Sequence, residues 1–166
     1  MDNAIVLFLL RAIHVVGGVL WVGGVVLVTL FLLPATQSLG PAAQPVMQFI
    51  MGRRKLPVYF MLIGILTTLA GVLLMMRNIS LSHGLWARSP MGIGISIGAA
   101  AAILALLIGM LVSAPAAKRL GPARPGATPL TDGERAALMN RLALGSRATF
   151  ILLSLAALFM ATARYY

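Results

Sequence analysis

The stretch AIVLFLLRAIHVVGGVLWVGGVVLVTLFLL, from Ala4 to Leu33, is a long apolar run that only Arg11 and His14 interrupt. A helix needs about 20 apolar residues to cross a bilayer core of roughly 30 Å. At 1.5 Å per residue this run forms a helix of about 45 Å, so we expect it to tilt or to protrude from the core. It predicts a membrane-spanning helix, which Pro34 is expected to end.

Three further apolar runs follow the first along the chain. They lie at about 56–76, 91–112 and 148–163, and the first span occupies about 4–33. The chain has 166 residues, of which 60% are hydrophobic and 10% are charged, whereas a soluble domain carries about 25% charged residues. The sequence therefore predicts an all-α, polytopic membrane protein. Residues 1–166 are expected to form a single bundle of four transmembrane helices in contact with the lipid bilayer.

The connections between the runs differ in composition. Residues 113–130 are rich in Pro and Gly, which predicts a flexible cytoplasmic loop. The sequence TDGE at 131–134 matches a capping box, so we expect a helix over 135–147 that lies outside the bilayer and continues into the fourth span. The first connection, 34–55, is Pro-rich at its start, and its segment 46–51 is expected to lie on the membrane surface.

The basic residues are distributed unevenly between the two sides of the membrane. The chain carries 13 Lys and Arg against three acidic residues, a net charge of +10. Nine lie in the first and third connections and four on the opposite side: Arg53, Arg54, Lys55, Lys118, Arg119, Arg124, Arg135, Arg141 and Arg147 against Arg11, Arg77, Arg88 and Arg164. Because cytoplasmic loops carry the excess of Lys and Arg, both termini are predicted to lie outside. In a bacterium this is the periplasmic side of the inner membrane. Basic residues that flank apolar runs also argue against nucleic-acid binding.

The spans contain few groups that can do chemistry. The chain has no Cys, and no Asp or Glu lies in any span. This excludes disulfides, a carboxylate proton relay, a hydrolytic acid–base pair and a carboxylate metal site, so we predict no catalytic residue. Small residues such as Gly94 and Gly98 predict close helix packing, since lipid tails give no hydrophobic reward for helix association. Thr67 and Thr68 are expected to donate to carbonyl groups of their own helix.

His14 is the span residue with the widest choice of chemical roles. Helical spacing places Gly17, Gly18 and Trp21 on the same stripe of the first helix, which predicts that the imidazole faces the bundle. Arg11 lies one turn nearer the outer surface. An interhelical hydrogen bond is one role open to His14. Ligation of haem or a metal is the other, because glycines let a flat porphyrin or another helix approach. In that reading His14, Arg11 and Trp21 bind the cofactor, and Arg11 either pairs with a haem propionate or extends to lipid headgroups.

A second candidate set lies near the same surface. His83 belongs to the outer connection on the side of His14, and Met76 ends the second apolar run there. Imidazole and thioether ligands suit Cu(I), so His14, His83 and Met76 form a predicted metal site. The alternatives are that His83 is a solvated loop residue and that Met76 is ordinary apolar filler.

Two runs of sequence resemble a known group of membrane proteins. The run HVVGGVLWVGG at 14–24, a proline after that helix and the run RRKLPVYFMLIGILTTLAGVLLM at 53–75 resemble the membrane domain of the copper-resistance D (CopD) family. They are also similar to the related HemJ-type proteins, which bind haem b and oxidise protoporphyrinogen. The resemblance covers residues 10–76 and implies that His14 ligates haem or a metal. The HemJ type pairs its His with a Lys on the third helix, and 91–112 contains no Lys, so that oxidation is not expected here.

Three functions stay open from the sequence. The first is a copper- or haem-handling membrane protein of the CopD/HemJ-like group, with His14 as the central ligand. The second is a non-catalytic accessory subunit whose glycine-lined faces pack against a larger membrane complex or another copy of the chain. The third is a small-solute transporter, which would favour broken spans with polar groups near the midplane.

Overall fold

The computed structural model describes residues 3–121 and 128–165, and the regular structure within these ranges is entirely helical. The α-helices are α1 (Ala4–Leu27), α2 (Leu33–Leu39), α3 (Gln44–Gln48), α4 (Leu56–Leu81), α5 (Leu85–Arg88), α6 (Pro90–Ile108), α7 (Ala114–Leu120) and α8 (Asp132–Thr162). Short π-helical segments, Val28–Leu32, Phe49–Arg53 and Gly109–Ser113, and 3-10 segments, Gly40–Ala43 and Ala163–Tyr165, connect or end them.

Four helical stretches are long and apolar enough to cross a membrane: Ala4–Arg53, Leu56–Leu81, Pro90–Leu120 and Asp132–Tyr165. Large apolar side chains cover the outside of the bundle, where Phe8 and Leu111, for example, are 70% and 66% exposed. Such a surface suits lipid tails and not water. The predicted all-α membrane bundle of four spans is confirmed.

The four spans form two closely packed antiparallel pairs. Gly17 on α1 lies against the side chain of Thr67 on α4. Further along this pair, Gly24 lies against the ring of Phe60. In the same way α6 packs against α8 through small residues, including Gly98. Contacts between the two pairs are much fewer than contacts within them, which leaves room along the axis of the bundle.

The alternating directions of the spans define two ends of the bundle. The terminal end carries both chain termini and the short connection around α5. The loop end carries the connection from α2 to α4 and the connection from α7 to α8. Both names are used in this sense below.

Pro34 does not end its helix, which differs from the sequence prediction, and the third span likewise continues beyond its predicted end at 112, past Pro115. Each lies in the first turn of a short helix, α2 or α7, that continues directly from a π-helical segment. In a regular α-helix a proline removes an amide donor, and its ring clashes with the carbonyl group four residues earlier. The wider turns Val28–Leu32 and Gly109–Ser113 relieve this clash, so the helix passes each proline. The third span therefore extends to Leu120.

A hydrogen bond from Arg141 on α8 helps to accommodate Pro115. The carbonyl group of Leu111 lies four residues before Pro115 and lacks the amide donor that a regular α-helix would provide. The guanidinium group of Arg141 on α8 donates to this oxygen at 3.3 Å. An arginine that the charge count assigned only to the cytoplasmic side thus also fastens α8 to the third span.

The loop end is more helical than the composition of its connections predicted. The helix α7 occupies part of the predicted loop 113–130, and its residues Ala116, Ala117 and Leu120 are buried. They are helical because they pack into a core. This loop-end core consists of Val28, Leu33, Met47, Met51, Ala116, Ala117, Leu120, Leu142 and Ala143. The remainder of the predicted loop, 122–127, lies outside the described residues.

The first connection also contributes to the loop-end core. Gly40 ends α2 with a φ of 55°, a left-handed conformation that glycine adopts without strain. The chain then returns through α3, and Met47 and Met51 are buried. The segment 46–51, expected on the membrane surface, therefore packs one face against the bundle and leaves Val46 exposed.

The second and fourth spans are longer than their apolar runs. The helix α4 continues past Arg77 to Leu81, five residues beyond the predicted end at 76. The helix α8 begins at the predicted capping box. Glu134 donates its backbone N–H to the Thr131 hydroxyl at 3.3 Å, and its carboxylate accepts from the Thr131 N–H at 2.9 Å. The helix predicted over 135–147 is confirmed, because α8 runs without a break from Asp132 to Thr162.

Candidate functional site

A cavity of about 760 Å³ lies between the two helix pairs at the terminal end of the bundle. Small residues form much of its wall: Gly18, Gly71, Ala99, Ala102, Ala156, Ala157 and Ala161. Its polar groups come from Arg11, His14, Thr67, Thr68, Arg77 and Asn78. Small-molecule and cofactor sites are mostly apolar clefts of about 300–1,000 Å³ with a few polar groups. This terminal-end cavity matches that description.

His14 lies in the wall of the terminal-end cavity with a defined tautomer. Its Nδ1 atom lies 2.9 Å from the carbonyl oxygen of Thr67 on α4. A carbonyl oxygen only accepts hydrogen bonds, so Nδ1 is the protonated nitrogen and donates. In the neutral ring the other nitrogen, Nε2, carries the lone pair. No other hydrogen bond to this ring is found in the part of the chain that the structure describes.

Gly71 provides the space in which the imidazole ring lies. A Cβ atom at this position would lie 2.5 Å from Cε1 and 2.8 Å from Nδ1 of His14. Any side chain there would displace the ring from its hydrogen bond to α4. Gly71 therefore packs against the candidate ligand itself.

The mouth of the terminal-end cavity is basic. Arg11 lies one turn before His14 on α1 and is exposed, while Arg77 and Asn78 belong to the last turns of α4. Trp86 from α5 covers this side. No Asp or Glu lines the cavity among the described residues. The mouth therefore favours an anionic group, and guanidinium groups bind carboxylates and phosphates well.

Trp21 closes the deep end of the terminal-end cavity. Its side chain is only 4% exposed and packs with Val25, Ala105 and Leu153. Gly64 on α4 lies directly against the indole ring, because a Cβ atom there would be 3.1 Å from Cζ2. The structure thus brings Arg11, His14 and Trp21 together around one cavity, at its mouth, wall and floor.

His83 and Met76 do not line this cavity. His83 is exposed and has a φ of 49°, so it forms the left-handed turn that ends α4 together with Gly84. The side chain of Met76 is 61% exposed on the outside of the bundle. The thioether side chains that line the cavity are those of Met75 and Met160. The described residues contain no group of three or more His, Cys, Asp or Glu that could hold a metal ion.

Thr67 and Thr68 are cavity residues whose role the sequence did not reveal. Neither hydroxyl group donates to its own helix, in contrast to the prediction, and both are buried without a hydrogen-bond partner among the described residues. The close approach of Gly17 places α1 over Thr67. Two adjacent threonines after a leucine-rich turn were the only sequence signal, and that signal is common in membrane helices.

Comparison with protein-family models, with curated proteins and with solved structures finds no match to this chain. The site is therefore interpreted from its own geometry.

Proposed function

We propose that this integral membrane protein binds haem b in the terminal-end cavity, with Nε2 of His14 as the iron ligand. The observation that carries the proposal is the hydrogen bond from Nδ1 of His14 to the backbone carbonyl group of Thr67. Metal-ligating histidines typically donate their second ring N–H to a carbonyl or carboxylate group, which fixes the tautomer and raises the basicity of the ligand. The arrangement at His14 follows that pattern.

The size and the wall of the cavity support haem over a copper ion. A copper ion needs no cavity of about 760 Å³ but needs several soft or imidazole ligands close together. The proposed copper set of His14, His83 and Met76 is dispersed, since only His14 lines the cavity. A porphyrin needs an apolar cleft, one axial ligand and a cation near its propionates. His14 and the small residues of the wall supply the first two.

Arg11 is the residue proposed to hold a haem propionate. It is exposed at the mouth of the cavity and one turn from His14, so its guanidinium group can reach a carboxylate that projects toward the membrane surface. Trp21 would lie at the apolar edge of the ring system, because it forms the floor. A haem bound in this way would supply electron transfer or binding of a small gas ligand.

The basic asymmetry supports an orientation with both termini outside, in the periplasm of a bacterium, and with the loop end in the cytoplasm. In this orientation the proposed haem lies in the outer half of the inner membrane. A periplasm-active reporter fused after Tyr166 should be active, and the same reporter inserted at Pro125 should be inactive. The reverse pattern would overturn the orientation while leaving the site itself unaffected.

Visible absorption of the detergent-purified protein tests the proposal. The wild-type protein should show an intense Soret band that is lost in His14→Ala and retained in His83→Ala, which is the matched histidine control outside the cavity. If copper is bound instead, the Soret band is absent and both substitutions reduce the copper content. Well-folded wild-type protein that carries neither haem nor copper, after expression with both in supply, would reject the proposal.

A further inference from the structure

The interior of the bundle contains buried hydroxyl groups without a hydrogen-bond partner. Among the described residues these are the hydroxyl groups of Thr67, Thr68, Ser113 and Thr149. A buried hydroxyl group without a partner has lost its hydrogen bonds to water, and a bilayer core offers it no compensation. Most threonines in a membrane helix avoid this loss by donating to their own backbone. Four such groups in one small bundle therefore require an explanation.

All four hydroxyl groups line one of two cavities. Thr67 and Thr68 lie in the wall of the terminal-end cavity. Ser113 and Thr149 lie in the wall of a second cavity of about 90 Å³, which extends from the middle of the bundle toward the loop-end core. We call it the loop-end cavity. The residues without partners are therefore not scattered, because each borders one of the two cavities. The hydroxyl groups of Thr67 and Ser113 also lie against glycines of the neighbouring helices, Gly17 and Gly145.

The wall of the loop-end cavity is mostly apolar but carries four hydroxyl side chains, and its size suits water. Besides Ser113 and Thr149, its wall includes Ser146 and Thr29, and the Thr29 hydroxyl group makes only a long contact of 3.4 Å with the carbonyl oxygen of Ser146. One water molecule needs about 10–15 Å³ of such space and two to four polar partners. The volume is that of several water molecules, and the four hydroxyl side chains are the polar partners available to them.

Trp21 is the one described residue that lines both cavities. Its indole ring lies against Gly64 and packs with Ala105 and Leu153, so residues of all four spans meet at this point in the middle of the bundle. A glycine at position 64 allows the ring to lie across the axis. The indole thus lies between two cavities that each carry hydroxyl groups, one toward each end of the bundle.

We propose that the loop-end cavity is a hydration site that takes water or another small neutral hydrogen-bonding molecule from the loop side, and that Trp21 is the barrier between it and the terminal-end cavity. The two cavities then lie in sequence along the bundle, and one aromatic ring separates them. The proposal is independent of haem, because the loop-end cavity lies beyond Trp21 from His14. No charged residue lines this cavity among the described ones, so a neutral occupant fits it.

The absence of cysteine from the chain allows a direct test with introduced thiols. Thr149→Cys places a thiol in the loop-end cavity, and Ile151→Cys places one two residues away on a lipid-exposed position of the same helix. Silver ions, which follow water into narrow spaces and bind thiols, are added to one side of sealed membrane vesicles. Residual thiol is then measured with a maleimide after denaturation. We expect the thiol of Thr149→Cys to be blocked from the loop side only and that of Ile151→Cys from neither side.

Adding Trp21→Ala to Thr149→Cys should make the introduced thiol accessible from both sides. Both variants, Thr149→Cys with and without Trp21→Ala, are also measured with His14→Ala added, so that a bound haem cannot obstruct the terminal-end cavity. If silver does not reach the thiol of Thr149→Cys from the loop side, the cavity is dry and the proposal is overturned. If silver reaches it equally from both sides while Trp21 is intact, the barrier is overturned. These two outcomes need no substitution of Trp21, so the test stands even if Trp21→Ala does not fold.

Discussion

The two ends of the bundle are built from the same four spans but are packed differently. At the loop end, α2 and α7 continue the first and third spans, α3 returns against the bundle, and bulky residues such as Leu33, Met51 and Leu142 fill the space. The internal space that remains there is about 90 Å³. At the terminal end only the short helix α5 covers the bundle, small residues line the interior, and the cavity reaches about 760 Å³.

The comparison shows that small residues have two opposite effects in this bundle. Within a helix pair, Gly17 and Gly98 permit close contact because a partner helix lies directly over them. Between the pairs, Ala99 and Ala102 face no partner and leave a space. In a bilayer such a space sacrifices dispersion contacts between helices. A cavity that is retained at this cost is more consistent with binding than with packing.

The largest expected effect comes from adding volume at two alanines one turn apart on α6. Ala105 is completely buried beside Trp21 and Leu153, whereas Ala102 lines the terminal-end cavity. Ala105→Leu should lower the free energy of unfolding by about 2–3 kcal/mol, because Trp21 and Leu153 enclose the site and the loop-end cavity that it borders is only about 90 Å³, so the larger side chain must displace its neighbours. Ala102→Leu should change it little, since the new side chain enters the cavity. Unfolding in mixed micelles, followed by circular dichroism, measures both.

The Ala102→Leu variant also tests whether the terminal-end cavity binds haem. A leucine in the cavity wall should weaken or abolish the proposed Soret band while the protein stays folded. Equal destabilisation by the two substitutions would mean that the terminal end is as tightly packed as the loop end, contrary to the structure.

A smaller effect is expected from removing volume at two matched leucines. Leu33 is 2% exposed in the loop-end core, and Leu74 lines the terminal-end cavity. Leu33→Ala should cost about 2 kcal/mol, the low end of the usual range for a buried leucine. The low end of the range applies because a leucine that leaves the core is solvated by lipid, so its burial gains no hydrophobic free energy. Leu74→Ala should cost less, since its side chain already borders a space. A larger loss for Leu74→Ala in the same unfolding measurement would contradict this ranking.

The fold could be predicted from the sequence because a bilayer restricts the choices of the chain. Apolar runs such as 56–76 must be helical, since lipid offers no partner to an open backbone. The sequence did not predict that the helices continue past Pro34 and Pro115. Proline usually ends a helix, and the π-helical turns that admit these two depend on packing at the loop end. Their effect is tertiary and leaves no local signal in the sequence.

The candidate site could be predicted only for residues on a single helix. Helical spacing along α1 placed Arg11, His14 and Trp21 on one face, and the structure brings them together around one cavity. The pairing of His14 with Gly71 depends on the register between α1 and α4, which hydropathy does not determine. The same reason explains why His83 and Met76 were grouped with His14: nearness to one membrane surface does not establish that side chains share a cavity.

The smallest expected effect separates the two glycines that flank the candidate ligand, and it tests the geometry of His14 directly. Gly71 and Gly18 both line the terminal-end cavity, but a Cβ atom at Gly18 would find only the Thr67 methyl group, at 3.9 Å. Replacing either glycine by alanine brings the same gain in helix propensity. The difference between the two changes in the free energy of unfolding therefore isolates the clash with His14. Gly71→Ala should push the ring away and break the bond to Thr67, a loss of about 1 kcal/mol relative to Gly18→Ala. Nitrogen NMR of labelled histidine should show a single tautomer, with Nδ1 protonated, in the Gly18→Ala protein without haem and a mixture in Gly71→Ala. If the tautomer stays the same in both variants, the carbonyl group of Thr67 does not orient this histidine, and the main support for iron ligation through Nε2 is lost.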